Sequence, residues 1–291
     1  MASTGISPFP PIRFDQAVKF ANDASGKDRL LRLFIYVGRL AMWALKRRGL
    51  AEAAARIKAL DSAFNHTRRV LRLGKLGNAV KQWNDCRAKF WGPAGLKWAF
   101  FVVELFKITA GNVYICCDHL RWLGEIGVFK SIDWKKWGDR STWCWFAGLV
   151  GSLAMDALQL RASLTRERLL LQDLKDSQLQ PHQLDQLDQR LTTSGDAQAK
   201  SQQENKGTAA AATATTATKQ EAEKALAQLR RARELIYWDV AKNVWDAPLA
   251  VVGSFKLTGM PGGVLEVCGT MSSLINVYLS WRAMFPPPAP K

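Results

Sequence analysis

Three long apolar stretches constrain this chain more than anything else in it. Each approaches the length that crosses a bilayer, and each falls short in its own way. Residues 92–117, "GPAGLKWAFFVVELFKITAGNVYICC", carry Lys97, Glu104 and Lys107. Residues 141–155 carry no charge but number only fifteen. Residues 257–281 number twenty-five and hold one charge, Glu266. A clean helical span needs about 20 apolar residues, and a central acid costs about 2.5–3.5 kcal/mol on insertion scales. By that test the C-terminal stretch ranks first, residues 92–117 second and residues 141–155 third.

The remaining pattern is helical in period, and no strand-period segment stands out, so the expected fold is all-α. A short helix is expected over 14–23. A second follows through "SGKDRLLRLFIYVGRLAMWALKRR", where Leu30, Phe34, Val37, Leu40, Ala41 and Ala44 recur at three and four. Ser25 reads as its cap, Lys46, Arg47 and Arg48 suit its C-terminal dipole, and Gly49 stops it. A third helix is expected over 52–73. Residues 173–219, rich in Gln, Ala and Thr, lack the large apolar side chains needed to order themselves by burial and read as a flexible polar loop. Helical pattern resumes at "EAEKALAQLRRARELIYWDV" and is expected to end before Pro248.

Charge is unevenly placed. Residues 1–91 carry 18 Lys/Arg against 6 Asp/Glu, while the other two hundred carry 23 against 19. A basic third on a near-neutral remainder calls for an anionic partner, nucleic acid or a membrane surface. Twelve tryptophans, many beside charges or at the edges of apolar runs, favour the membrane interface modestly. Five cysteines without CxxC spacing fit a reducing compartment.

Motifs for catalysis do not appear: "RLGKLG" is not a phosphate-binding P-loop, and GxSxG, GxGxxG and HExxH are missing. Cys116, Cys117, Asp118 and His119 resemble a metal set only by proximity, because neighbours on a helix point about 100° apart. A non-enzymatic protein without cofactor or metal is expected.

The stretch "TRRVLRLGKLG" at 67–77 is both basic and greasy. On a helical wheel Ala53, Ile57, Leu60, Phe64, Thr67 and Leu71 share one face, while Lys58, Asn65, Arg69 and Arg72 share another. Val70 and Leu73 break the pattern. A surface helix packing on its own core would look like this, and so would a helix lying in a membrane interface. In the second case Lys58, Arg68, Arg69, Arg72 and Lys75 contribute about 1 kcal/mol each near an anionic surface. Burial of Ile57, Leu60, Phe64 and Leu71 adds at most about 1.5–3 kcal/mol apiece. Nucleic-acid binding needs the same cations but leaves Phe64, Leu71 and the apolar stretches unexplained.

Two blocks carry a resemblance. Gly26, Lys27, Asp28, Arg29, Leu30, Leu31, Arg32 and Tyr36 match the N-terminal signature of the peroxin-eleven family of peroxisomal membrane proteins. Thr67, Arg68, Arg69, Leu71, Arg72, Leu73, Gly74 and Lys75 match its second block, and "GGVLEVCGTMSSLINVYLSW" resembles its closing membrane segment. The resemblance implies a peroxisomal membrane protein with both termini in the cytosol. It implies insertion of an amphipathic helix into the outer leaflet, self-association, and elongation of the organelle. A dynamin-type GTPase and its tail-anchored adaptors then complete division. On this reading the chain divides into a basic cytosolic region at 1–91, a membrane-associated helical region at 92–172, the polar loop at 173–219, and a helix plus membrane segment at 220–291. Phe64 and Leu71 are expected to wedge lipid while the cations hold headgroups. Leu30, Phe34 and Val37, together with the small pair Gly269 and Ser273, are expected to serve self-association. The alternative is a pore or metabolite channel built from 92–117 and 257–281, with Lys97, Glu104, Lys107 and Glu266 facing water.

Overall fold

The computed structural model describes residues 14–90, 98–192 and 201–286. Those residues form eight α-helices and one 3₁₀ turn, and no strand appears among them. The helices are α1 (Phe14–Asn22), α2 (Ala24–Arg47), α3 (Ala51–Arg72), α4 (Ala79–Phe90), α5 (Trp98–Glu125), α6 (Trp134–Thr192), α7 (Ser201–Phe255) and α8 (Val264–Met284), with the 3₁₀ turn at Leu73–Asn78. The chain divides into one compact unit of residues 14–156 with 238–286, and a second of residues 157–237. In the second unit, Arg230 and Arg233 of α7 both donate to Glu167 of α6.

Local chemistry sets the first helices. Asp23, rather than Ser25, caps α2: its carboxylate accepts from the Gly26 backbone N–H at 3.0 Å. Gly26 is required, since a β-carbon there would lie 1.9 Å from the Phe20 carbonyl oxygen of α1. The chain turns back at Gly49, and α3 runs antiparallel along α2. Gly38 faces Ile57, the Phe34 and Phe64 rings lie 6.3 Å apart, and Arg39 donates to Asp61 at 2.7 Å. On the other side α2 packs on α8, so closely that a β-carbon on Gly269 would sit 2.1 Å from the Tyr36 ring. Ser272 and Ser273 are fully buried there. Gly269 and Ser273, expected to serve self-association, are buried here against α2 of the same chain.

Among the described residues, two helices are long and apolar enough to cross a membrane: α5, and the part of α6 at Trp134–Gln172. Only 11% and 22% of their apolar windows are buried, unlike the core helix of a soluble protein. The C-terminal stretch, ranked first by sequence, is not one of them. Thr270, Ser272, Ser273, Asn276 and Ser280 dilute α8, and its hydroxyls turn inward: Ser273 and Ser280 each bond the carbonyl four residues earlier at 2.6 Å. α5 and α6 approach closely where Gly148 and Gly151 meet Ala110 and Phe106.

α7 does not end before Pro248 but runs through it to Phe255. The lost N–H is outweighed by burial on both sides: Asn243, Asp246, Ala250 and Ser254 form an inward stripe. The 173–219 stretch carries helical backbone up to Thr192 and again from Ser201, and residues 193–200 lie outside the described residues.

One property organises the first unit. Among its described residues, ten apolar side chains are buried against eleven polar or charged ones, while Phe34, Trp98, Val102, Phe106, Trp143, Val150 and many other large apolar side chains are exposed. A water-soluble domain has the opposite distribution. Polar inside and apolar outside is what a bundle of helices adopts when its surroundings are lipid.

Candidate functional site

The site grows from the antiparallel pairing of α2 and α3. Because the two helices run back from Gly49, the start of α2 lies beside the end of α3. Asp28, 6% exposed, faces three cations there. Arg68 Nε donates to it at 2.9 Å, Arg72 Nε at 3.1 Å and Lys75 Nζ at 2.9 Å. The two sequence blocks noted above therefore meet in space: Asp28 is the acid of the first, and Arg68, Arg72 and Lys75 are the bases of the second.

A second layer surrounds this centre. Arg72 Nη1 donates to the Tyr114 hydroxyl of α5 at 3.1 Å. Asp118 of α5 lies 3.6 Å from Arg69 and 3.7 Å from Arg72, and Glu125 accepts from Arg69 at 2.7 Å. His119 Nε2 sits 3.2 Å from the Arg69 carbonyl oxygen. Asp118 and His119, which stood out in sequence beside two cysteines, thus hold arginines. Arg32 of α2 reaches Asp246 of α7 at 2.5 Å and Ser272 of α8 at 3.2 Å. Arg29 donates to Asn276 at 3.0 Å. Among the described residues, no group of three or more His, Cys, Asp or Glu side chains could hold a metal ion.

Electrostatics follow from this crowding. Burial opposes the Asp28 charge, yet Arg72, Arg68 and Lys75 outweigh it and hold the carboxyl well below the usual carboxylate range. Arg68 shows the reverse. Burial, with the like charges of Arg72 and Arg32, pushes its guanidinium down to about 10 against the pull of Asp28. Burial also opposes the Arg72 charge, but Tyr114, Asp28 and Asp118 outweigh it and raise its pKa.

The residues expected to bind membrane divide sharply. Arg68, Arg69 and Arg72 have side chains only 12–13% exposed and are paired with acids, so here they face inward rather than toward headgroups. Lys75 is half-buried on Asp28. Ile57, Phe64 and Leu71 are half-buried, and Ile57 and Phe64 rest on α2. Lys58 and Leu60 are exposed. Val70, Leu73, Val80 and Trp83 are exposed too, next to the outward Lys81 and Arg87. These additional residues were missed; the failure of Val70 and Leu73 to fit the stripe was the available signal. Leu30 is half-buried, whereas Phe34 and Val37 are exposed and border an apolar groove with Leu60.

A family model described as "Peroxisomal biogenesis factor 11 (PEX11)" matches residues 14–281. The chain is 25% identical to human Peroxisomal membrane protein 11B over 272 residues, 90% of this chain and 95% of that protein. It is 26% identical to Peroxisomal membrane protein PMP30B of Candida boidinii over 271 residues, 91% of this chain and 93% of that one. It is 26% identical to rice (Oryza sativa subsp. japonica) Peroxisomal membrane protein 11-4, across 62% of this chain and 78% of the rice protein. No solved structure matches. A match running from the first described helix into α8, with the two blocks joined through Asp28, places the chain in the PEX11 family.

Proposed function

We propose that this chain is a peroxisomal membrane protein that bends and elongates its membrane and thereby promotes fission and proliferation of the organelle. The observation that carries the reading is the distribution of side chains: charge and hydroxyls inside the first unit, aromatic and aliphatic groups outside it. The names of the relatives supply the organelle. Under this reading both termini lie in the cytosol, copies associate through the exposed edge of Phe34 and Val37, and a dynamin-type GTPase with tail-anchored adaptors acts on the elongated membrane.

The lipid contact is made by the outward set: Leu60, Val70, Leu73, Val80 and Trp83, with Lys58, Lys81 and Arg87 at headgroup level. Each cation contributes about 1 kcal/mol at an anionic surface, and the five apolar side chains enter the acyl boundary. Reconstitution of the full chain into anionic vesicles tests this. Wild type is expected to draw tubules. Leu60→Asp/Val70→Asp/Leu73→Asp is expected to keep its helical content and lose the tubules. Undiminished tubulation by the triple variant would refute the assignment.

A second reading, a metabolite pore, is favoured by one observation. Four cavities, two of them mainly polar and two of mixed lining, adjoin inside the first unit, with shared walls at Arg32, Tyr114, Lys107, Arg29 and Lys75. Steady single-channel conductance of the purified chain in a planar bilayer would support it, and a silent bilayer would remove it.

A further inference from the structure

The arginine cluster holds more positive charge than its own acids neutralise. Six cations (Arg32, Arg68, Arg69, Arg72, Lys75 and Arg121) are joined by ion pairs to four carboxylates (Asp28, Asp118, Glu125 and Asp246), an excess of two positive charges. The excess surrounds a cavity. Five of the arginines line a space of about 280 Å³ whose other polar walls are Tyr36, Asn65, Tyr114 and a single acid, Asp118. One buried water needs roughly 10–15 Å³ by the same measure, so the space is large enough for a multi-atom polar ligand.

A further observation points the same way. Arg121 Nε is buried without a hydrogen-bond partner, and the nearest carboxylate oxygen, on Glu125, is 4.0 Å away. The depression of the Arg68 pKa by burial and its arginine neighbours agrees with a centre that is one anion short. Buried charge of one sign is costly unless it is compensated. Planar guanidinium forks match phosphate oxygens in pairs, and Tyr36 and Tyr114 line the same space.

We propose that this cavity, between α2, α3 and α5 with Trp145 of α6 at its wall, is a binding site for a phosphate dianion carrying two negative charges. The phosphate is that of a phosphomonoester lipid headgroup or of a small soluble phosphate; both present the same group to the arginines. The site stands on the bundle's own geometry, so failure to bend membranes would leave it untouched.

The test is thermal unfolding of the full chain, followed by its tryptophan fluorescence, in nanodiscs. Arm one compares inorganic phosphate with chloride at matched ionic strength in phosphatidylcholine discs. Arm two compares phosphatidylcholine discs with discs containing phosphatidic acid. Each is run on wild type, Arg68→Gln and Arg121→Gln. A gain of about 3 °C or more in wild type, lost in Arg121→Gln, is the expected result. Arg121 sits at the rim with its side chain 35% exposed, so this variant keeps the test sound where Arg68→Gln fails to fold. A gain in arm one identifies a soluble ligand, a gain in arm two alone a headgroup, and either supports the site. No gain in either arm, or an equal gain in Arg121→Gln, would overturn it.

Discussion

The two halves of α3 obey opposite rules. Through its first half the apolar side chains Ile57 and Phe64 rest on α2, and Arg56 and Lys58 stand outside. From Arg68 onward the cations turn inward to Asp28 and Asp118, and Val70 and Leu73 face out. One continuous helix thus behaves like a surface helix of a soluble protein at one end and like a lipid-facing helix at the other. Amphipathicity alone does not tell a helix which face is buried. Its neighbours decide, and here the deciding neighbour is the acid at Asp28.

The comparison breaks most readily at that acid. Asp28→Asn leaves Arg68, Arg72 and Lys75 around a neutral amide, and breaking such a buried pair costs about 3–5 kcal/mol. Chemical denaturation in detergent micelles is expected to show a loss of that size, or no folded protein at all. A loss below about 1 kcal/mol would mean that the second half of α3 is not held by charge.

The same acid makes a pH prediction. Its carboxyl lies below its ordinary value of 3.8 in the folded chain, so its contribution is complete above about pH 4 and fades as pH falls toward the folded value. The unfolding midpoint should therefore decline below about pH 4, and Asp28→Asn should flatten that part of the curve. Phe64→Ala probes the first half. Full burial would cost about 3–5 kcal/mol, and a half-buried ring against Phe34 should cost about 1–2 kcal/mol. Arg56→Ala, which removes an exposed pair with Glu52, should cost less than about 0.5 kcal/mol by the same denaturation measurement. A larger effect would place that arginine in a contact the first half of α3 does not show.

Much of this was legible in sequence. The all-α class and the helix limits around Gly49 follow from period and turn residues. The direction in which the charges point was harder to read. A wheel drawn from 52–73 puts Arg69 and Arg72 opposite the apolar stripe, and the natural reading sends them to solvent or headgroups. Only tertiary contacts reverse that: Asp28 of α2 accepts from Arg72, while Asp118 and Glu125 of α5 hold Arg69. The C-terminal stretch misled for a related reason: its single charge hides the hydroxyls and small residues that make α8 less apolar and fit it tightly against Tyr36. Pro248 stopped α7 in the sequence reading because a missing N–H is visible there, while the buried stripe that offsets it is not.

The clasp at Asp28 changes what a bilayer encounters. Three ties from the end of α3 to the start of α2 mean that the basic helix does not drift into lipid by itself; it travels with its partner as a stiff double rod. Under the proposed membrane-bending role, curvature would follow from the cross-section of that pair, and a synthetic α3 peptide would lack the partner that sets its depth.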